Sequence, residues 1–337
     1  MSAKKKLLIF SLVLFLFSSC QKDNRKSSES NGKKPDKIII RVAQNSSIDH
    51  YYQVGLEKFK EVLETETNGA VEVIIYPSAQ LGNEEQEIVE VKLGIIDATI
   101  VSSGNLAPFV PEIGLFNLPF IFRDHEHFYK ILDGHIGRQV GKSIEARVNC
   151  VFLGYCSYGI RNVFNGKKPI LTPADLKGMK IRVMASPILI SSFNALGAQA
   201  TSMSWNELYS ALQQGVIDGA ECGTADLLIE RFYEVTRYVS YTNHLIGAAV
   251  LIFSKKRYNK LPPSVQTAVL TAGQAGVLAA RKSEIEMSEQ ALEKLKEKGI
   301  EFFSVNKDLF RVKVKPVYEK YAAKLGGMKL IEEILKK

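Results

Sequence analysis

Cysteine and tryptophan are scarce in this chain: 337 residues carry four cysteines and one tryptophan, Trp205. Cys20 closes an N-terminal apolar run, so Cys150, Cys156 and Cys222 remain for the rest, an odd number that builds no disulfide framework. Cys150 and Cys156 bracket the strand-like run CVFLGYC, where six extended residues separate their Cα atoms by roughly 20 Å, far beyond disulfide reach. Both read as small core hydrophobes. Long apolar runs are missing as well, since the longest, Leu7 to Phe17, is too short to span a bilayer. No GxSxG, HExxH or CxxC pattern occurs, which removes the common serine-hydrolase, zinc-protease and redox signatures. A basic surface is lacking too. Of the formal charge of +8, three units sit at Lys4 to Lys6 and another net three between Cys20 and Lys37. The near-neutral remainder has no footprint for nucleic acid.

Lys4 to Lys6, the short apolar stretch and the small residues Ser18 and Ser19 compose an export signal. Small residues before a cysteine resemble the lipobox of bacterial lipoproteins, in which Cys20 becomes the lipidated first residue. Residues 1–19 are therefore expected to be a lipoprotein signal peptide. Residues 20–37, polar throughout, form a flexible tether. The mature protein is expected outside the cytoplasm, in the periplasm, lipid-anchored to a bacterial membrane with the tether's positive charge against anionic headgroups.

From Ile38 onward about 300 residues remain, more than one core usually serves. Their pattern alternates strands and helices. Ile38 to Ala43 is strand-like, Tyr52, Leu56, Phe59 and Leu63 recur at helical spacing, and Val71 to Tyr76 is strand-like again. Asn83 with Gln86 makes a capping box for a helix that ends near Gly94, before a strand from Asp97 to Val101. The grammar repeats with strand Cys150 to Tyr155, a short helix from Thr172-Pro173, strand Lys180 to Val183, and a helix boxed by Ser204 and Glu207 and closed by Gly215. Ala248 to Ser254 is a further strand. Pro262-Pro263 begins a long helical pattern to about Lys298, interrupted by Gly273 and Gly276.

Five ordered segments, NGAVEVIIYPSAQLG, VPEIGLFNLPFIFRDHEHF, TPADLKGMKIRV, SMSWNELYSALQQGVIDGAE and FYEVTRYVSYTNH, resemble the signature blocks of TRAP-transporter solute-binding proteins of the dicarboxylate-binding type. The resemblance runs from Ile38 nearly to the C-terminus. It implies an α/β, two-lobed clamp with a cleft between the lobes and a long bracing helix. Lobe I would take residues 38–157 plus about 248–286, and lobe II 158–247 plus about 287–337. It implies a protein that captures a small organic carboxylate by lobe closure, performs no catalysis and needs no cofactor. Delivery would be to an ion-gradient-driven permease of TRAP membrane subunits, with an accessory lipoprotein as a further partner.

By the same resemblance, Arg182 in GMKIRV holds the ligand carboxylate and Arg161 in YGIRN stands beside it. A guanidinium suits the task because it offers paired donors and keeps its charge in a closing cleft. Trp205 falls where the family places an aromatic wall. Asn45, Ser102 and Asn105 follow strands, at the ends where α/β folds bind ligands. Cys222 stands where many members carry a ligand-contacting asparagine, so its thiol is expected to face the cleft and to favour a less polar acid. Asn243-His244 is expected to make a structural hydrogen bond.

Competing chemistry is weaker. Cys222 with His244 as a catalytic pair has no surrounding signature. GHIGRQVGKS has Ile136 where a phosphate loop needs its first glycine. His125 and His127 lack zinc-ligand spacing. A lipoprotein carrier of a more hydrophobic ligand is the alternative function.

Overall fold

The β-branched runs IIIRVA and VEVIIY form β1 (Ile38–Ala43) and β2 (Val71–Tyr76), burying Ile40, Val42, Val71 and Val73. The computed structural model to which they belong describes residues 37–337. The export signal, Cys20 and the tether as far as residue 36 therefore lie outside the described residues.

Between these parallel strands runs the helix Tyr51–Glu66, whose buried face includes Leu56, Phe59 and Leu63. The helix Glu84–Leu93 begins at the expected capping box: Asn83 Oδ1 accepts from the Gln86 amide at 3.0 Å, and Gln86 Oε1 accepts from the Asn83 amide at 2.9 Å. Gly94, at φ 75°, ends it in the left-handed region. It leads into β3 (Ala98–Ser102), parallel to β1.

The second half repeats this logic with β5 (Lys180–Val183), β6 (Gln199–Ser202) and β7 (Gly219–Cys222), all mutually parallel neighbours of β5. One local expectation fails here. Ser204 caps nothing with its side chain; it opens a single 3-10 turn, Trp205–Glu207, before the helix Leu208–Gln213. Its hydroxyl is engaged elsewhere, accepting from Asn83 Nδ2 at 3.1 Å.

The two halves share one sheet. The expected strands at Cys150 and Ala248 are parts of far longer ones, β4 (Cys150–Asn165) and β8 (Tyr238–Ser254), which pair antiparallel. Sheet order is β2-β1-β3-β8-β4-β7-β5-β6, and the short β9 (Glu301–Ser304) pairs with the start of β8. β3 pairs with residues 249–253 of β8, whereas β7 pairs with residues 162–165 of β4, so the two long strands serve both halves. Their register slips between Ser157 and Ile160, where Gly159 sits at φ 87°.

The helix Pro263–Glu297 is continuous through Gly273 and Gly276. These glycines mark close approaches instead of breaks. A Cβ on Gly276 would lie 2.7 Å from the Gly55 carbonyl oxygen, and one on Gly273 2.8 Å from Leu153 Cβ. The phosphate-loop look-alike is the interior of the helix His135–Val148.

Candidate ligand site

Arg182 is wholly buried on β5. Its Nε donates to the Met203 carbonyl at 2.8 Å, while Nη1 and Nη2 have no hydrogen-bond partner among the described residues. It lines a cavity of about 40 Å³. Burial lowers its pKa to about 10, so the guanidinium is still charged at neutral pH. A buried cation with two unpaired donor groups is costly unless a partner arrives. The half-buried ring of Trp205 stands 5.5 Å from the guanidinium carbon and meets Phe232 edge-on at 5.1 Å.

Arg161, on β4, also lines the cavity but is committed elsewhere. Its Nε binds the Glu221 carboxylate, Nη2 binds both that carboxylate and the Glu221 carbonyl, and Nη1 lies 3.7 Å from Asp226 Oδ2. Burial would push the Glu221 carboxyl up, but Arg161 and His244 outweigh it and hold the pKa down at about 2. His244 Nε2 is 3.4 Å from Glu221 and its Nδ1 2.9 Å from Thr242 Oγ1, the structural hydrogen bonding expected of that segment.

Asn45, Ser102 and Asn105 all line the same cavity. Ser102 and Asn105 have a second task that the sequence did not announce. The Ser102 amide donates to Glu84 Oε1 at 3.1 Å, and Ser102 Oγ and Asn105 Nδ2 donate to Glu84 Oε2. Asn105 Oδ1 accepts from the Ala185 amide at 3.1 Å, reaching across to the second half. Glu84 is itself buried and lines the cavity, as do His50, Tyr51 and Asp226. Asp226 Oδ1 accepts from Tyr51 Oη at 2.8 Å and lies 3.2 Å from His50 Nε2. Sequence reasoning missed these four. Glu84 shares its helical turn with Glu85 and Glu87, and no local feature distinguishes it.

Cys222 is a correction. Its thiol lines a separate void of about 10 Å³ with Phe164, Leu227 and Val239, and does not line the Arg182 cavity. On β7 it shares a face with Ala220, and that face packs on an apolar cluster that includes Phe164 and Phe232. The inference of a less polar ligand, which rested on that thiol, loses its basis. Cys150 and Cys156 are buried and unpaired, as expected. His127 Nε2 contacts the Ile334 carbonyl at 2.9 Å and His125 lies 3.2 Å from Glu284. Among the described residues no group of three or more potential ligands could hold a metal ion.

Residues 42–325 match the model of the bacterial extracellular solute-binding proteins, family 7. The 2,3-diketo-L-gulonate-binding periplasmic protein of Escherichia coli is 32% identical over 78% of this chain and 80% of its own length. A TRAP periplasmic solute-binding protein from Polaromonas, solved with D-erythronate, superposes with a TM-score of 0.86 at 32% identity, covering 89% of this chain and 98% of that one. One from Pseudomonas putida, solved with D-glucuronate, gives 0.84 at 35% identity over 88% and 96%. The chain thus belongs to family 7 of the bacterial extracellular solute-binding proteins, the periplasmic solute-binding proteins of TRAP transporters, and has their two-lobed fold.

Proposed function

We propose that this protein captures a small organic carboxylate on Arg182 by lobe closure and hands it to an ion-gradient-driven TRAP permease, without catalysing a reaction. The observation that carries the reading is the buried guanidinium of Arg182, with two unpaired donor groups at a cavity walled by Trp205 and the polar residues Asn45, Ser102 and Asn105. Paired N–H groups match the two oxygens of a carboxylate. Acids bound by the relatives support the same class of ligand. Arg161 stands at the edge of the cavity with its charge taken up by Glu221 and, at 3.7 Å from Nη1, by Asp226. The lobes divide at residues 157 and 248 and again near 286, and closure works about the slipped register at Ser157–Ile160. The mature chain acts outside the cytoplasm, tethered through lipidated Cys20. A carrier of hydrophobic molecules loses support, because the cavity wall carries two arginines and two carboxylates.

Titration calorimetry against a panel of organic acids tests the site. Arg182→Ala is expected to cost at least about 3 kcal/mol, two decades or more in affinity, because a ligand carboxylate enters the cleft without its partner. Arg182→Lys is expected to recover little, since a point charge does not reproduce the fork. An alanine variant that binds the best acid as tightly as the parent removes Arg182 from the site.

A further inference from the structure

The cavity holds an acid where an anion binder has least use for one. Glu84 reaches it from the first turn of the helix Glu84–Leu93, in the opposite half from Arg182. It is buried, and its carboxylate is clamped by three donors from its own half: two on Oε2 from Ser102 and Asn105, and one on Oε1 from the Ser102 amide. A carboxylate offers about four acceptor positions. Oε1, with a single donor, keeps one for a ligand. Burial raises the Glu84 carboxyl above its ordinary value, and the Ser102 and Asn105 hydrogen bonds oppose that rise.

The charges around the cavity leave room for one anionic group. Arg161 is neutralised by Glu221 behind it. Asp226 is already served by Tyr51, His50 and the Gly223 amide. Arg182 remains as the cation without a direct acidic partner, and Glu221 first and then Glu84 contribute negative field at that guanidinium. A ligand with its carboxylate on Arg182 would bring the rest of its body toward an acceptor-only wall. Hydroxyl groups can donate there; a second carboxylate would meet like charge at short range in a site withdrawn from water.

Resting on the carboxylate reading above, we propose that Glu84 determines specificity, making this a site for a hydroxylated monocarboxylate that excludes dicarboxylates. Asn105 and Ser102 act through Glu84 as positioning residues, holding its carboxylate toward the cavity.

Calorimetry with four probes separates this from the parent reading: D-erythronate and D-gluconate as polyhydroxy monocarboxylates, succinate as a dicarboxylate, and erythritol as a neutral polyol. The parent protein is expected to bind at least one hydroxy acid about a hundredfold or more tighter than succinate. Glu84→Gln, which keeps the shape and withdraws the charge, is expected to narrow that ratio at least about tenfold by strengthening succinate. Glu84→Asp, which keeps the charge on a shorter arm, is expected to weaken the hydroxy acid while succinate stays excluded; this holds the test open if the glutamine variant does not fold. Succinate binding as tightly as the hydroxy acids in the parent, or a ratio unmoved in a folded Glu84→Gln, overturns the role of Glu84 and leaves Arg182 untouched. Erythritol matching the acids, or no acid binding at all, overturns the carboxylate reading and this inference with it.

Discussion

Arg161 and Arg182 flank β7 from opposite sides, and the alternation of that strand gives them different work. Glu221 points to the face of Arg161, two residues along from its register partner Val163, while Arg182 lies in register with Ala220, whose methyl neutralises nothing. One arginine is therefore held in an ion pair and the other keeps two donor nitrogens without a partner among the described residues. The same contrast between neighbours separates Glu84 from Glu87 on one helix. Glu87 is buried with Oε2 accepting from Thr99 Oγ1 at 2.7 Å, and burial raises its pKa to about 8. Between the unfolded value of about 4.5 and that figure the native state keeps a proton that the unfolded chain has lost, so stability falls as pH rises through this window. Glu87→Gln is expected to abolish much of that fall and to be the more stable protein at pH 8 by about 2 kcal/mol or more. Urea unfolding of both proteins at pH 5 and pH 8 measures it; parallel pH dependences would refute the buried proton.

At the scale of elements, the two longest strands were the least legible, whereas the longest helix was read to within about a residue at each end and only its two glycines misled. Gly154, Gly159, Asn162 and His244 interrupt the apolar runs of β4 and β8, and their extended conformation is maintained by pairing between the two strands, which no local window contains. Gly273 and Gly276 looked like helix breakers because their cost in helix propensity is local, whereas the close packing they permit is not. At the crossing of Tyr51–Glu66 with Pro263–Glu297, a Cβ on Gly55 would stand 2.8 Å from both Ala280 Cβ and the Gly276 carbonyl oxygen. Alanine improves helix propensity by about 1 kcal/mol, but overpacking against a backbone atom costs about 1–3 kcal/mol. Gly55→Ala is therefore expected to be destabilising by about 1 kcal/mol, with the clash deciding the sign. Thermal or urea unfolding checks this, and a neutral or stabilised variant would mean that the crossing yields without cost.

Across the whole molecule the two halves are joined over the cavity by short polar bridges. The Ser47 amide donates to Glu230 at 3.1 Å, Tyr51 and His50 meet Asp226, Asn83 meets Ser204, and the Ala185 amide meets Asn105. Such contacts hold the two halves together, and under the closure proposed above a ligand between the lobes would add its own affinity to that state. Small-angle scattering is expected to show a smaller radius of gyration with a saturating acid than without it. At a hundredfold excess over Kd the ligand is expected to add about 2.7 kcal/mol to stability. Asp226→Ala, which removes two bridges, is expected to weaken binding and to enlarge the ligand-free protein; unchanged scattering in both comparisons would argue against closure as the binding step.

Sequence alone determined the βαβ alternation, the capping box at Asn83, the absence of a disulfide framework and, through ordered blocks such as those around Arg182 and Trp205, the family. Each depends on residue type, short spacing or an ordered set of motifs, all of which are written along the chain. Tertiary structure decided that Glu84 and Asp226 stand at the cavity, that Arg161 is spent on Glu221, and that Cys222 lines a separate void. Those outcomes depend on which face of a strand or helix meets which neighbour across the sheet. Three glutamates in one helical turn are equivalent until a distant serine and asparagine choose between them.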